Sequence, residues 1–307
     1  IGYQDTSNCE VPSCNEETEV QLWGVCYNIE ETTTLEPNHN IQGQEIPPEI
    51  GQLTNLIYLL LFGQGLVGQI PPEIGDLTNL EYLSLSSNNL TLPLPDDLEN
   101  LTNLTHLYLE STQLAGEIPS VIGSLTSLEL LDLDDNLFTG NIPSWIGSLT
   151  NLESIRLSNN QLTGEIPPEI GNLTNVSSLD FSNNQLTGEI PSEIGNMTSL
   201  EVLFLNNNQL TGEIPLWLEM TSIGGLYIHS NQLSGEIPEF LCSSTGISAS
   251  LHNNHLCPPY PECFSSSNIG YQDTSNCEVP SCNEETEVQL WGVCYNIEET
   301  TTLEPNH

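Results

Sequence analysis

The stretch Leu152-Glu-Ser-Ile155-Arg-Leu157-Ser-Asn-Asn160-Gln-Leu162-Thr-Gly164-Glu-Ile166-Pro167 decides the fold, because near-copies of it recur every 24 residues along the chain. The apolar residue before the proline marks the period at Ile142, Ile166, Ile190 and Ile214. Each copy opens with alternating apolar residues, which predict a short strand. One copy cannot bury its own leucines, so the copies must stack. The sequence therefore predicts a solenoid with a parallel sheet.

Three residue types occupy fixed places in the repeat and predict its turns. An asparagine follows each predicted strand, and we expect its amide to point inward and satisfy backbone groups that the tight turn leaves unpaired. Glycine permits the next bend. Proline has no backbone N–H donor, and it fits where the chain forms no hydrogen bond between strands. The asparagines are Asn88, Asn136, Asn160, Asn184, Asn208 and Asn231. Four residues that share one repeat position should be buried, namely Leu131, Ile155, Leu179 and Leu203.

From about residue 40 to 256 the repeat resembles the plant-type leucine-rich repeat, L-x-x-L-x-L-x-x-N-x-L-x-G-x-I-P-x-x-(L/I)-G-x-L. The resemblance implies an α/β repeat solenoid, right-handed and curved, with a parallel sheet of about ten strands on its concave side. It also implies a mostly β and irregular convex side and disulfide-bonded caps. Similar repeats occur in large secreted bacterial surface proteins.

The last 39 residues, 269–307, repeat the first 39 without a change. We divide the chain into an N-terminal cysteine-rich cap (1–39), a solenoid of about nine to ten repeats (40–256), a C-terminal cap and linker (257–268) and a second copy of the N-terminal cap (269–307). A stand-alone receptor needs a single N-terminal cap. The second copy therefore predicts the start of a further unit.

The nine cysteines lie only in the end segments, and six of them, an even number, fall within residues 1–268. This distribution is typical of disulfides and of an oxidising, extracellular or cell-surface setting. Zinc binding is the competing interpretation, although the spacings lack the paired C-x2-C signature.

The run Trp23-Gly24-Val25-Cys26 is similar to the N-terminal cap of plant receptors. That resemblance implies a Cys14–Cys26 bridge and, in the second copy, Cys282–Cys294. We expect at least one further bridge among Cys242, Cys257, Cys263 and Cys277. The pairing that we favour is Cys242–Cys257 with Cys263–Cys277, which leaves Cys9 for a partner in a preceding unit.

The charge of the chain is strongly negative, with 42 acidic residues against a single arginine and a net charge of -41. Nucleic-acid binding needs basic patches and is excluded as a function class. Docking on anionic membranes is disfavoured, and no apolar run is long enough for membrane insertion.

Glutamates recur at two fixed positions near each proline, and stacked like charges should repel by about 1 kcal/mol per contact at low salt. Calcium as a structural counter-ion would relieve this repulsion. A solvated, screened column of carboxylates is the alternative. The calcium candidates are Glu165, Glu189, Glu213, Glu169 and Glu193. We expect no other cofactor.

Aligned strands predict a concave face that carries aromatic and charged side chains. Arg156 falls between Asp132 and Asp180 on adjacent strands, which indicates either cross-strand pairing or a ligand-binding arginine. Aromatic clusters on an open sheet bind carbohydrate or protein partners, whereas a sheet covered by caps or neighbours is the alternative. The candidates on this face are Tyr58, Phe62, Tyr82, His106, Tyr108, Asp132, Arg156, Asp180, Phe204 and Tyr227, with His229 at the other end of the flanking columns.

Six Asn-x-Ser/Thr sequons are candidate N-glycosylation sites if the protein is secreted by a eukaryote. They begin at Asn89, Asn100, Asn103, Asn172, Asn175 and Asn196.

The sequence has no nucleophile–base pair, metal cluster or phosphate loop in a supporting context, so we do not expect an enzyme. We favour a structural repeating unit of an extracellular filament or surface fibre, in which units join head to tail. The alternative is a cell-surface adhesin or ligand-binding module that uses the concave aromatic and acidic face.

Overall fold

The computed structural model describes residues 14–91, 93–243 and 247–277, together with the backbone of 287–290 and 293–296. The chain forms two compact units, residues 1–137 and 138–307. Cys9 and Cys282, and the side chain of Cys294, lie outside the described residues. None of the helices in the described ranges is long and apolar enough to cross a bilayer.

Each repeat opens with a short strand, and these repeat-opening strands pair in parallel. In the first unit Leu59 is in register with Leu83, and Leu83 with Leu107, so equivalent repeat positions stack directly. The strands of this unit are Thr34–Leu35, Tyr58–Leu60, Tyr82–Ser84, His106–Tyr108 and Leu130–Asp132. Those of the second unit are Ser154–Arg156, Ser178–Asp180, Val202–Phe204, Gly225–Tyr227 and Ser248–Ser250.

A second strand follows in most repeats, after the asparagine turn. In the first unit these strands are Val67–Gln69, Asn89–Thr91 and Ala115–Glu117. The strand Leu137–Asn141 begins at the last residue of that unit. The second unit adds Gln161–Glu165, Gln185–Thr187, Ser234–Glu236 and His255–Cys257.

The proline of each repeat is the N-cap of a five-residue 3-10 helix, a position where its missing N–H leaves no hydrogen bond unmade. Pro167, for example, has φ -68° and precedes the helix Pro168–Asn172. The other 3-10 helices are Pro48–Gln52, Pro72–Asp76, Asp96–Asn100, Ser120–Ser124, Ser144–Ser148, Ser192–Asn196 and Leu216–Met220. Two α-helical turns, Phe240–Ser243 and Ser266–Ile269, lie near the C-terminal cap.

The core is built from the same repeat positions throughout. Leu131, Ile155, Leu179 and Leu203 are all fully buried, which confirms the predicted position. Burying one such side chain contributes about 1.5–3 kcal/mol, and no repeat does so without its neighbours.

The turn asparagines point inward and bind backbone groups of two repeats, as predicted. Asn184 Oδ1 accepts from the Leu162 N–H at 3.0 Å, and its Nδ2 donates to Leu157 O at 2.9 Å and Phe181 O at 3.2 Å. The same role falls to Asn254, which the sequence did not single out. Thr112 replaces asparagine in one repeat, and its Oγ1 donates to Leu109 O at 2.7 Å.

A glycine is required at the end of the second strand or just after it, for two reasons. Gly188 has φ +77°, and a Cβ at this position would lie 2.7 Å from Cγ of Glu165 in the preceding repeat. The missing side chain therefore leaves room for the glutamate stem of the neighbour.

The N-terminal cap is an antiparallel hairpin, Glu19–Leu22 with Val25–Asn28, and its Val20 and Leu22 are buried. The Cys14–Cys26 bridge is present with a Cα–Cα distance of 5.5 Å, which confirms the pair implied by the plant-receptor resemblance. Trp23 Nε1 donates to Glu45 O at 2.9 Å and ties the hairpin to the first repeat.

The second copy of the cap sequence forms the same hairpin. Glu287–Leu290 pairs antiparallel with Val293–Asn296, and Glu287 faces Asn296 as Glu19 faces Asn28. Identical sequence thus gives identical strand pairing at both places.

The C-terminal cap is closed by two disulfides, Cys242–Cys263 and Cys257–Cys277. At least one bridge in this group was predicted, but the favoured pairs Cys242–Cys257 and Cys263–Cys277 are wrong. Residues after the helix Ser266–Ile269 return to the end of the last strand, where Leu256 N donates to Gln272 Oε1 at 3.1 Å. This return brings Cys277 to Cys257.

Candidate functional site

The side chains that flank the buried leucine of each repeat-opening strand form what we call the open face. They correspond to the predicted concave face, and alternation along the strand turns them away from the core. Tyr58 is 43% exposed whereas the next residue, Leu59, is fully buried. The open face therefore presents side chains from a rigid sheet.

In the first unit, aromatic rings from three adjacent strands form one cluster. Ring centroids are 6.2 Å apart for Tyr58 and Tyr82, 5.3 Å for Tyr82 and His106, and 5.1 Å for Tyr82 and Tyr108. These distances are typical of aromatic pairs that stabilise one another. We call these four residues the aromatic cluster. Phe62, just beyond its strand, is 60% exposed.

Carboxylates and polar groups lie beside the aromatic cluster. Asp132 is in register with Tyr108 on the neighbouring strand and accepts from the Asp134 N–H at 3.1 Å. The Glu110 N–H donates to Ser86 Oγ at 3.1 Å. Glu110 and Asp134 each lie two residues after the end of their strand, at the same repeat position as Phe62 and His229. From the sequence, only Phe62 and His229 were named at this position. This part of the face combines aromatic area with negative charge.

In the second unit, Phe204 and Tyr227 stack at a centroid distance of 4.7 Å with ring planes 9° apart. Asp180 is in register with both Arg156 and Phe204 on its two neighbours. It accepts from the Ser182 N–H at 3.0 Å and from the Ser182 hydroxyl at 2.7 Å. The carboxylate is therefore held in place next to an exposed arginine. A ligand-binding role for Arg156 stays a prediction.

Two histidines extend the open face of the second unit. The rings of His229 and His252 are 4.3 Å apart, and His229 Nδ1 is buried without a hydrogen-bond partner. Burial, and secondarily the neighbouring His252, lowers the pKa of His229 below its ordinary value. The neutral ring is therefore favoured in the folded protein. The sequence pointed to His229 but not to its partner.

The glutamate columns predicted from the sequence lie along the repeats, and in the column that precedes the proline the side chains lie next to a glycine of the following repeat. The Glu189 side chain lies over Gly212 of the next repeat, where an added Cβ would approach its Cγ to 2.8 Å. In the described ranges, the group of three metal-ligand residues whose ligand atoms lie within 4.8 Å of one another is Cys14, Glu19 and Cys26. Its two sulfurs form a disulfide. Calcium at the five predicted glutamates stays a prediction.

Two of the sequon asparagines have structural roles. Asn103 Nδ2 donates to Thr78 O at 2.9 Å, and Asn175 Nδ2 donates to Thr150 O at 3.0 Å, each in the preceding repeat. Asn79 makes the same bond to Thr54 O without belonging to a sequon. The recurring asparagine is thus explained by repeat stacking, and glycosylation stays a prediction at all six positions.

Comparison with protein families identifies the repeats. A model described as "Leucine-rich repeat region" matches residues 34–139, and one described as "Leucine Rich repeats (2 copies)" matches residues 150–196 and 174–217. No curated protein matches the sequence.

Solved structures give the same result. The plant peptide hormone receptor RGFR1, in complex with RGF2, is 34% identical, with a TM-score of 0.67 over 73% of this chain and 40% of that one. The ectodomain of the receptor kinase GASSHO1/SCHENGEN3 from Arabidopsis thaliana is 34% identical, with a TM-score of 0.62 over 70% and 29%. A plant ice-binding protein is 29% identical, with a TM-score of 0.65 over 88% and 85%.

The stacked parallel strands, inward asparagines and disulfide-bonded caps define a solenoid repeat protein. The chain belongs to the leucine-rich repeat proteins of the plant type. It spans less than half the length of the two receptor chains it matches.

Proposed function

We propose that this chain is an extracellular binding module whose open face holds a protein or peptide ligand. The observation that carries the proposal is the aromatic cluster of Tyr58, Tyr82, His106 and Tyr108 on adjacent strands. Rigid aromatic side chains on a sheet supply contact area at low cost in conformational entropy, and such residues dominate binding energy at interfaces.

The charge of the module specifies the chemistry of the ligand. A net charge of -41 and the carboxylates beside the aromatic cluster favour a basic partner that carries apolar or aromatic side chains. Two similar plant receptors were solved with RGF2 and with CASPARIAN STRIP INTEGRITY FACTOR 2, which supports a peptide rather than a carbohydrate. Binding rather than catalysis is the function we expect.

The test is selection of peptides from a random displayed library on the immobilised chain. Basic peptides with aromatic residues should be enriched, and their affinity should fall with salt. The double variant Tyr82→Ser/Tyr108→Ser should weaken binding by about 30-fold or more, as expected for central aromatic anchors. Tyr271→Ser is the matched control, because Tyr271 is 71% exposed and is not part of a repeat-opening strand.

If the double variant binds the peptides as well as the wild type does, the open face is not the ligand site. The likeness to a plant ice-binding protein supplies a competing hypothesis, which a thermal-hysteresis measurement on the same protein separates. Ice-growth inhibition without peptide enrichment would replace the peptide-binding hypothesis.

A structural unit of an extracellular fibre is the second candidate function. The observation that favours it is the repeated hairpin, since Glu287–Leu290 and Val293–Asn296 pair as Glu19–Leu22 and Val25–Asn28 do. A cap that recurs after a solenoid is the element that a further solenoid would need. Electron microscopy of the native material tests this candidate, because fibres support it and separate particles contradict it.

A further inference from the structure

The solenoid is closed at its C-terminal end by residues of the second cap copy. Ile269 is only 8% exposed and packs at this end. The Leu251 N–H donates at 2.9 Å to the carbonyl of Asn268, the residue just before the copy, and the Asn253 N–H donates to Tyr271 O at 2.6 Å. The segment is therefore bonded to the last repeat as one repeat is to the next.

Gln272 takes the part that asparagine takes in the other repeats. Its Nε2 donates to Leu251 O at 3.0 Å and to Ile269 O at 2.7 Å, while its Oε1 accepts from the Leu256 N–H at 3.1 Å. Asn254 makes the equivalent three bonds one repeat earlier. The first residues of the second copy thus form a closing turn on the preceding solenoid, and Cys277 fixes that turn to Cys257.

The closing segment, Ile269-Gly-Tyr-Gln-Asp-Thr-Ser-Asn-Cys277, is identical to residues Ile1–Cys9. Most of the groups that hold it, from Leu251 to Cys257, precede it in the chain. We propose that this segment is a transferable cap, so that Ile1–Cys9 of one copy closes the C-terminal end of a second copy. The contact would be locked by a Cys9–Cys257 disulfide between chains.

Cysteine pairing supports this joint. Within residues 1–268 the structure pairs Cys14 with Cys26 and Cys242 with Cys263. Of the six cysteines in that stretch, Cys9 and Cys257 are the remaining two. In this chain Cys257 pairs instead with Cys277, which is the counterpart of Cys9 at an offset of 268 residues.

The exchange is balanced without an external oxidant. The Cys9 thiolate attacks Cys257 Sγ, the new Cys9–Cys257 bond forms, and the Cys257–Cys277 bond breaks. Cys277 leaves as a thiolate, which takes up the proton that Cys9 had lost. The two segments are identical in sequence, so the segment within the chain is favoured by its higher effective concentration and by the bonds of Asn268 to Ala249 and Leu251, which Ile1–Cys9 lacks.

This proposal deepens the fibre hypothesis, because it specifies the joint between units, and it is independent of ligand binding on the open face. The test uses the full chain with Cys277→Ser in a mixture of glutathione and glutathione disulfide. Glutathione disulfide oxidises the Cys9 and Cys257 thiols to one disulfide and is itself reduced to two glutathione molecules. We expect disulfide-linked oligomers on a non-reducing gel and a Cys9–Cys257 peptide by mass spectrometry.

Three further variants make the outcome specific. Cys9→Ser/Cys277→Ser should stay monomeric. Gln4→Ala in the Cys277→Ser background should slow cross-linking about tenfold, because Gln4 corresponds to Gln272 and loses its hydrogen bonds. Thr6→Ala, the control, should leave the rate unchanged, since its counterpart Thr274 is exposed.

Monomers carrying glutathione at Cys9 and Cys257, or Cys257–Cys257 dimers alone, would overturn the proposal. Either result would leave the open face as a ligand site untouched. If the Cys9→Ser/Cys277→Ser variant still forms fibres, the fibre hypothesis stands but the Cys9–Cys257 joint is refuted.

Discussion

At the scale of single residues, the inward asparagines hold the fold together through the backbone. Asn184 satisfies the Leu162 N–H and the carbonyls of Leu157 and Phe181, all of them buried. The residue before it, Asn183, has φ +54°, so the turn uses the left-handed region that asparagine tolerates. One buried polar side chain per repeat thus bonds that repeat to the preceding one.

We expect Asn184→Ala to destabilise the protein by about 2–4 kcal/mol, because it leaves several buried backbone groups without partners. Urea denaturation followed by circular dichroism measures the change. Asn172→Ala is the control, since Asn172 is exposed at the end of a 3-10 helix, and it should change stability by less than about 0.5 kcal/mol. Equal effects of the two variants would contradict the role assigned to Asn184.

His229 predicts a dependence of stability on pH. Its pKa in the folded state is lowered below 6.5, by burial first and by His252 second, so the unfolded chain binds a proton more readily. His229 therefore does not change the free energy of unfolding well above pH 6.5. As the pH falls through the pKa of His229 in the unfolded state and then through its lower pKa in the folded state, the free energy of unfolding decreases.

The variant His229→Gln should remove this loss. The free energy of unfolding of the wild type should fall more steeply between about pH 7 and about pH 5 than that of the variant, while the carboxylates contribute equally to both. Parallel pH profiles for wild type and His229→Gln would refute the assignment.

At the scale of elements, the strands are too short to be stable alone, and the caps protect the first and last of them. Three-residue strands such as Ser248–Ser250 gain their order from paired neighbours. An open sheet edge at either end would also invite pairing with other chains. The disulfide-bonded segments at both ends therefore matter more for stability than their length indicates.

Removing the Cys257–Cys277 bridge should loosen the C-terminal end without unfolding the N-terminal repeats. In Cys257→Ser/Cys277→Ser, a closed loop with a sequence separation of 20 is lost. The expected cost is about 3 kcal/mol. Hydrogen exchange should accelerate at Ser248–Ser250 and His255–Cys257 but stay slow at Tyr58–Leu60. Uniform acceleration over all strands would show that the chain unfolds as a single cooperative unit.

At the scale of the whole molecule, the charge is strongly unbalanced and opposes folding. With 42 acidic residues and one arginine, self-repulsion opposes folding and is relieved by salt or bound cations. Glutamate stems such as those of Glu165 and Glu189 lie directly over the glycines of the next repeat. Their carboxylates are thus presented in columns along the repeats.

We expect calcium to raise the melting temperature beyond the effect of sodium at equal ionic strength, because divalent ions bridge neighbouring carboxylates. Scanning calorimetry in calcium, magnesium and sodium salts, with and without chelator, measures the effect. The variant Glu189→Gln/Glu213→Gln should reduce the calcium shift and raise the melting temperature at low salt. Identical melting temperatures in calcium and in sodium would show that ionic screening of the carboxylates, without calcium binding, explains the effect of salt.

The sequence by itself determined the solenoid, the buried positions such as Leu179, the inward asparagines and the aromatic residues of the open face. It could do so because a fixed period places equivalent residues in equivalent surroundings, so that local pattern and global stacking agree. The Cys14–Cys26 pair was also accessible, through resemblance to a known cap.

Only the tertiary structure decided the features that break the period. The pairing of Cys257 with Cys277 and the closing role of Gln272 depend on which chain segments meet at the end of the strand His255–Cys257. Such contacts are set by the return of the chain in three dimensions, and repeat spacing carries no information about that return.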